Sequence, residues 1–287
     1  MLLRKILSNP NLEGVSHVII DEIHERNIQI DLMCILLKKL LEENKNVKLL
    51  LMSASFNTSL FASYFNTSAV IHISGKMYPV EEYFLEDLVD KIPTAKVEDH
   101  KRPNLDADLI VDTINFIDKN ELQGAILCFL PGWHEIRTVQ TKLLEENSSK
   151  NFLICPIHSR LPHDQQKIIF SKPTEGQRKI ILATNIAETS ITVNDVVYVI
   201  NSGLQKGTKL DTQIGIASLS TEWITKANVR QRKGRAGRVK PGKCYHLFSW
   251  KTFIKMEEYP VAEILRTPLE KVILDCKVSI YFSVTYS

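Results

Sequence analysis

The residues able to do chemistry start with His17-Val18-Ile19-Ile20-Asp21-Glu22-Ile23-His24, where a short apolar run ends in adjacent carboxylates and a histidine. Carboxylates at the end of a strand suit a hydrated Mg2+, a hard cation that prefers oxygen ligands and keeps several of its waters. Of the pair, Glu22 is placed to orient or deprotonate an attacking water. A second stretch, Gln231-Arg232-Lys233-Gly234-Arg235-Ala236-Gly237-Arg238, concentrates guanidiniums. On a helix, Gln231, Arg235 and Arg238 fall at i, i+4 and i+7 and share a face, forming a phosphate clamp with the bidentate geometry that Lys lacks. Arg232 and Lys233 then point elsewhere, and Gly234 and Gly237 allow close approach of another loop or domain. A third stretch, Ala183 to Thr192, crowds hydroxyls, an amide and a carboxylate at a strand end, groups that contact phosphate and sugar without reading bases. Taken singly, each also reads as ordinary structure: a polar turn, a solvated basic helix end, an N-cap cluster.

These groups need elements to position them. The run before Asp21, bounded by Asn9, Pro10, Asn11 and Gly14, reads as a buried parallel strand. In open α/β sheets the carboxyl ends of such strands border the functional crevice. Apolar spacing predicts a helix over Gln29–Leu41, then a strand over Val47–Met52 that delivers Ser53-Ala54-Ser55 to the same sheet edge as Asp21. Leu60–Phe65 reads as a short helix, and Val70–Ile73 and Val80–Leu85 as strands. Asp90 to Asn104, polar and carrying Pro93 and Pro103, reads as a linker. The alternation restarts with helix Leu105–Ile117, strand Ala125–Leu130, the turn Pro131-Gly132 and helix Trp133–Leu144. Strands follow at Phe152–Ile157, Lys179–Thr184, Val196–Ile200 and Cys244–Phe248, with a helix over Gln165–Phe170 and a hairpin over Leu204–Leu219. Thr221–Arg235 reads as a helix capped by Ser220 or Thr221, and Glu263–Lys277 as a last amphipathic helix. The fold class is α/β, with two doubly wound parallel-sheet domains: residues 1–90, a linker over 91–104, residues 105–258, and the start of a third module over 259–287.

Composition sets bounds. With 287 residues, 44% hydrophobic and 24% charged, the chain is globular and long enough for two domains. A formal net charge of +3 is too small to imply a nucleic-acid partner unless the charge is clustered. The five cysteines show no C-x-x-C spacing and read as reduced core thiols of a cytoplasmic or nuclear protein. No apolar stretch reaches the ~18 residues that span a membrane, so no membrane partner is expected. Leu2 to Leu7 begins in mid-pattern and Val278 to Ser287 ends in a β-branched run, which predicts a piece of a longer protein.

Taken together, Asp21-Glu22-Ile23-His24, Ser53-Ala54-Ser55, Phe129-Leu130-Pro131-Gly132, Thr184 to Thr192 and Gln231 to Arg238 stand in the order and approximate spacing of a superfamily-2 helicase. Over residues 1–277 the chain resembles the two RecA-like domains of a DEAH/RHA-type RNA helicase, with residues 259–287 matching the start of a winged-helix region. Ile23, Pro131-Gly132-Trp133, Glu222-Trp223 and Glu263 to Leu269 resemble the subgroup that resolves G-quadruplexes and AU-rich RNA. The resemblance implies ATP and Mg2+ as cofactors and RNA as partner, with ATP hydrolysis driving stepwise movement along single-stranded RNA. By the same resemblance Asp21 and Glu22 hold Mg2+ through water and activate the hydrolytic water, and His24 links the ATP site to the second domain. Ser53 and Ser55 couple hydrolysis to domain movement, Ser55 standing where the family has Thr. Gln231, Arg235 and Arg238 face the γ-phosphate, and Phe170 stacks on adenine or is an ordinary core residue. Arg4, Thr184 and Asn185 match RNA-backbone contacts, and the hairpin carrying Lys206 and Lys209 matches the element that separates strands.

The family's Gly-rich phosphate loop, G-x-x-x-x-G-K-[ST], does not occur in these residues. This leaves a second reading open: a non-enzymatic RNA-binding fragment. A DNA helicase shares the ATP machinery, and the D-E-I-H box and hairpin favour RNA by resemblance only.

Overall fold

A computed structural model describes residues 2–54, 58–73, 75, 77–97, 103–146, 151–189, 193–211, 216–270 and 272–274. The chain divides into two compact units, residues 1–74 with 208–219 and 260–287, and residues 75–207 with 220–259.

In the first unit, helix α1 (Leu2–Ser8) precedes strand β1 (His17–Ile20), a 3₁₀ turn over Ile23–Glu25, helix α2 (Ile28–Glu43), strand β2 (Lys48–Leu51) and helix α3 (Thr58–Tyr64). Asn27 caps α2, its side chain accepting from the Ile30 amide at 2.9 Å, and Ile30, Cys34, Leu37 and Leu40 form the buried stripe. That stripe packs with Val18, Ile20, Ile23 and Val47. β1 and β2 pair in parallel, Ile20 opposite Leu51, so Asp21 and Met52 leave the pair together and Ser53 follows at the same edge. The expected two-sided burial of β1 is not observed: Val18 and Ile20 are buried, whereas Ile19, Leu50 and Met52 are 58%, 43% and 44% exposed. Among the described residues, one face of this strand pair meets helices.

The second unit is built on a six-stranded parallel sheet in the order β3 (Val80–Tyr83), β10 (Gly242–His246), β7 (Val196–Asn201), β4 (Ala125–Phe129), β6 (Arg178–Ala183), β5 (Phe152–Ile157). Helices α4 (Ala107–Asn120) and α5 (Trp133–Glu146) cover one face. Alternate strand residues divide the core: Ile126, Cys128, Ile180 and Leu182 pack with those helices, while Leu127, Phe129, Ile181 and Ala183 pack on the other side with Ile157, Ile169 and Ala236. Short helices α6 (His163–Gln166) and α7 (Ile186–Thr189), the ribbon β8 (Leu204–Asp211)–β9 (Ile216–Trp223), α8 (Lys226–Lys233) and α9 (Trp250–Lys255) complete the order.

Several boundaries differ from the sequence reading. Val80–Tyr83 belongs to the second sheet, pairing with β10, and the units divide between residues 74 and 75 rather than over 91–104. The start of that polar stretch, residues 91–97, is anchored: Ile92 and Ala95 follow Leu88 at helical spacing, and all three are buried in the second unit's core. Val70–Ile73 forms no strand, and Ile71 and Ile73 are exposed. The helix expected over Gln165–Phe170 is α6 followed by a 3₁₀ turn over Lys167–Phe170. β9 runs on to Trp223, so α8 starts late, with Thr225 as its cap in a reciprocal pair with Asn228. Glu263–Leu265 is a single 3₁₀ turn; Pro268, which cannot donate and disfavours a helical residue before it, delays regular helix to Glu270 and 272–274, and residues 275–287 lie outside the described ones.

Candidate functional site

In the first unit the chemistry gathers where β1 and β2 end. The Ile23 amide donates to Met52 O (3.1 Å) and the Met52 amide to Ile20 O (2.8 Å), locking the exit turn onto β2. Glu22 adopts φ 52°, ψ 37°, a left-handed conformation that is uncommon for a residue with a Cβ and clusters at functional sites. Its amide donates to Asp21 Oδ1 at 2.8 Å. The turn aims Glu22 Oε2 to within 3.4 Å of His24 Nδ1, which also lies 3.3 Å from Ser53 Oγ. Glu22 Oε2 is buried without a hydrogen-bond partner among the described residues. An orphaned carboxylate oxygen beside an exposed aspartate fits a cation that arrives with water and other ligands. Among the described residues no group of three or more His, Cys, Asp or Glu is placed to hold a metal ion. The structure thus brings Asp21, Glu22, His24 and Ser53 together. Ser55 lies outside the described residues, and α1 carries Arg4, whose side chain is also outside them.

In the second unit the arginines are not presented by a helix face as expected. α8 stops at Lys233, and tight turns follow: the Arg235 amide donates to Arg232 O (3.1 Å) and that of Ala236 to Lys233 O (3.0 Å). Even so, Arg235 and Arg238 line one small recess over Leu127, Ile157 and Ile181, and Gln231 sits in the last turn of α8. The close approach allowed by Gly237 is real. A Cβ there would lie 2.6 Å from Tyr78 O and 2.7 Å from Val80 Cγ2, and the Gly237 carbonyl accepts from the Tyr78 amide at 2.9 Å. The strand that opens the second unit therefore clasps the arginine turn.

Arg232, expected to point away from the site, is fully buried beneath it. Nε donates to Glu188 Oε1 (2.7 Å), and Nη1 to Asn201 Oδ1 (3.0 Å) and Leu204 O (3.2 Å). Nη2 has no hydrogen-bond partner among the described residues, and the guanidinium lies over the Phe129 ring at 4.9 Å, where the π face offers a cation partial compensation. One sequence signal marks it. Val229 and Ala236 are buried at i−3 and i+4 from Arg232, on the apolar side of the helix and turn.

The remaining candidates lie on several elements: the link from β6 to α7, the 3₁₀ turn after α6, and β8. Thr184 is buried and Asn185 exposed at the end of β6. Phe170 is 63% exposed, so it is not a core residue. Lys206 is engaged at the ribbon base, 2.9 Å from Glu135 Oε1 on α5 and donating to Thr221 Oγ1 at 2.8 Å. Burial pushes the Glu135 carboxyl up, but the hydrogen bond and charge of Lys206, a backbone amide and the nearby His134 together hold it below its ordinary value. β8 also carries Lys209, whose side chain lies outside the described set.

The buried network continues from Asn201. Its Oδ1 also accepts from the Gly203 amide (3.0 Å), so its Nδ2 must donate to His246 Nδ1 (3.3 Å), leaving His246 Nε2–H for Glu82 Oε2 (3.2 Å). Burial pushes His246 below its ordinary 6.5, consistent with this neutral tautomer. The hydrogen bond to His246 and the nearby Lys233, which donates to Glu82 at 2.9 Å, outweigh burial and hold the Glu82 carboxyl down to about 2. Both folded values lie below their unfolded ones. The His246 contribution to stability is therefore complete above pH 6.5 and lost as pH falls below it; that of Glu82 is complete above 4.5 and lost toward about 2. Thermal midpoints should fall steadily on acidification from neutral pH, beginning near 6.5. His246→Gln should flatten the first part of that fall, while His158, also lowered by burial, keeps its share in both proteins. An acid slope identical in wild type and variant would sink this account of the network.

A family model for the helicase conserved C-terminal domain matches residues 107–240. Over 97% of its length the chain is 46% identical to the ATP-dependent RNA helicase DHX30 of Gallus gallus, of which it covers 23%, and 48% identical to that of Homo sapiens, of which it covers 24%. It is 40% identical to the ATP-dependent DNA/RNA helicase DHX36 of Homo sapiens, covering 33% of that protein. Among solved structures, the DEAH/RHA helicase HrpB of Escherichia coli superimposes with a TM-score of 0.82 at 31% identity, over 96% of this chain and 33% of that one. The chain thus spans between 23% and 33% of the length of these curated relatives. The second unit's six-stranded parallel sheet is a RecA-like helicase fold. With that fold, the ordered motifs and identity running along 97% of its residues, the chain belongs to the DEAH/RHA-type helicases.

Proposed function

We propose that this chain is motor sequence of an ATP-dependent RNA helicase, hydrolysing ATP with Mg2+ and coupling that hydrolysis to movement along RNA, structured RNA such as G-quadruplexes included. The observation that carries the reading is Glu22: left-handed at a strand end, next to Asp21, with one buried carboxylate oxygen that has His24 Nδ1 3.4 Å away but no hydrogen-bond partner among the described residues. In this reading Asp21 orients the waters of the bound ion, and Glu22 Oε2 accepts the proton of the attacking water. Bound Mg2+ would neutralise charge on the phosphate oxygens. His24 and Ser53 hold the Glu22 carboxylate in place, Arg235 and Arg238 stabilise charge on the transferred phosphoryl, and Gln231 orients it. Phe170 offers an exposed aromatic face to the base, and Arg4, Thr184, Asn185, Lys206 and Lys209 serve the RNA backbone. Ser55 joins Ser53 in coupling. Cys34, Cys128, Cys155 and Cys244 are free and buried, which supports a cytoplasmic or nuclear setting. The names of the relatives, ATP-dependent RNA and DNA/RNA helicases, support both the nucleotide and the polymer.

The second reading, RNA binding without ATP turnover, is favoured for residues 1–287 on their own by the lack of a G-x-x-x-x-G-K-[ST] sequence among them. Phosphate release separates the two, measured with and without single-stranded RNA. We expect none from residues 1–287, with weak RNA binding that loosens as salt rises. Joined downstream of a phosphate-loop segment from one of the relatives, the same residues should show RNA-stimulated release. No release from the joined protein, with RNA binding intact, would leave only the second reading.

A further inference from the structure

The burial of Arg232 poses a question that packing does not answer. Its donors end on different strands: Asn201 closes β7, Leu204 opens β8, and Phe129, under the guanidinium, closes β4. Glu188 lies in α7, the helix that follows Thr184 and Asn185 off the end of β6, and its second oxygen accepts from Asn228 on α8 at 2.8 Å. The Arg232 carbonyl in turn accepts from the Arg235 amide, so the residue that grips three strand ends and α7 also starts the arginine turn. A buried ion pair is a weak stabiliser, since desolvation offsets most of the attraction and well-packed apolar replacements are often neutral. What a forked guanidinium adds is fixed geometry among its partners.

We propose that the Arg232–Glu188 pair is a positioning device that transmits occupancy of the Thr184–Asn185 segment by RNA to the turn carrying Arg235 and Arg238. Neither residue touches substrate. The proposal rests on the reading that the first segment meets RNA and the second meets phosphate, and deepens it by naming the link.

The test uses residues 1–287, a short single-stranded oligouridylate as probe, and amide hydrogen exchange followed segment by segment. In wild type, RNA should slow exchange over both 184–188 and 234–238. Two variants break the link differently. Glu188→Gln with Arg232→Met removes both charges at once and keeps an acceptor for Asn228; Arg232→Lys keeps the charge and loses the fork. In the double variant the thermal midpoint should stay near wild type and RNA should still slow 184–188, but the effect at 234–238 should vanish. A purely structural pair would leave that distant effect intact in any variant that folds. Retention of slowing at 234–238 in the double variant, or its absence there in wild type, overturns the proposal. If the double variant does not fold, Arg232→Lys decides by the same two segments. RNA that slows neither segment in a folded wild-type chain would instead defeat the RNA reading itself, and the link with it.

Discussion

Replacing Glu22 by Gln, in residues 1–287 joined to a phosphate-loop segment, should lower ATP turnover by roughly 10²–10⁴-fold and leave ATP binding nearly unchanged. The amide fills the same space and keeps an oxygen toward the ion's waters, but it cannot take a proton. The left-handed turn that places the side chain is set by the backbone bonds of Ile23 and Met52 to β2, which Gln does not disturb. Among the described residues Glu22 Oε2 makes no hydrogen bond, and the amide can keep its 3.4 Å contact with His24 Nδ1, so the thermal midpoint should stay near wild type. Phosphate release and ATP affinity measured on the same preparation check both halves. Turnover near the wild-type rate would show that the carboxylate is not the base.

The three arginines of the 231–238 stretch should separate by readout. Arg232→Ala leaves Glu188 buried without its cationic partner, a change that costs about 3–5 kcal/mol. For a unit of this size that is a fall in thermal midpoint of roughly 6–20 °C. Arg238→Lys removes a fork at an exposed position and should leave the midpoint alone, while lowering kcat by about 10²-fold or more in the joined protein. Arg235→Lys should show a kinetic loss of that order with a small stability cost, because Arg235 is buried at the recess. Equal kinetic losses at all three positions, with no difference in stability, would favour a diffuse basic patch over a directed clamp.

Residue types alone carried the catalytic candidates further than the elements that hold them. Asp21 and Glu22 were legible because a period-free apolar run stops at them, and parallel pairing with β2 then had to bring Ser53 alongside. The helix face proposed for Gln231, Arg235 and Arg238 was wrong in geometry, since periodicity says nothing about the point at which two glycines let a helix unwind into tight turns. Arg232 was misplaced because a charge within a basic run reads as solvated. Its partner Glu188 lies far away in sequence, and no local pattern shows that pairing. β3 was assigned to the wrong sheet for a related reason. Val-Glu-Glu-Tyr fits any edge strand, and only its distant partner β10 identifies the sheet.

That last pairing also bears on how the protein is made. Among the described strands of the second unit's sheet, β3 is the first to leave the ribosome, yet its neighbour there, β10, is the last. Val80 must wait for Gly242, and closing so long a chain segment is entropically slow. The central strands β4, β6 and β7 can assemble meanwhile. The clasp of Tyr78 on Gly237 and the pairing of Glu82 with Lys233 and His246 form only when β3 docks. The arginine turn is therefore among the last parts of the unit to take shape during synthesis, and a nascent chain carries Arg235 and Arg238 unset until the final strand is in place.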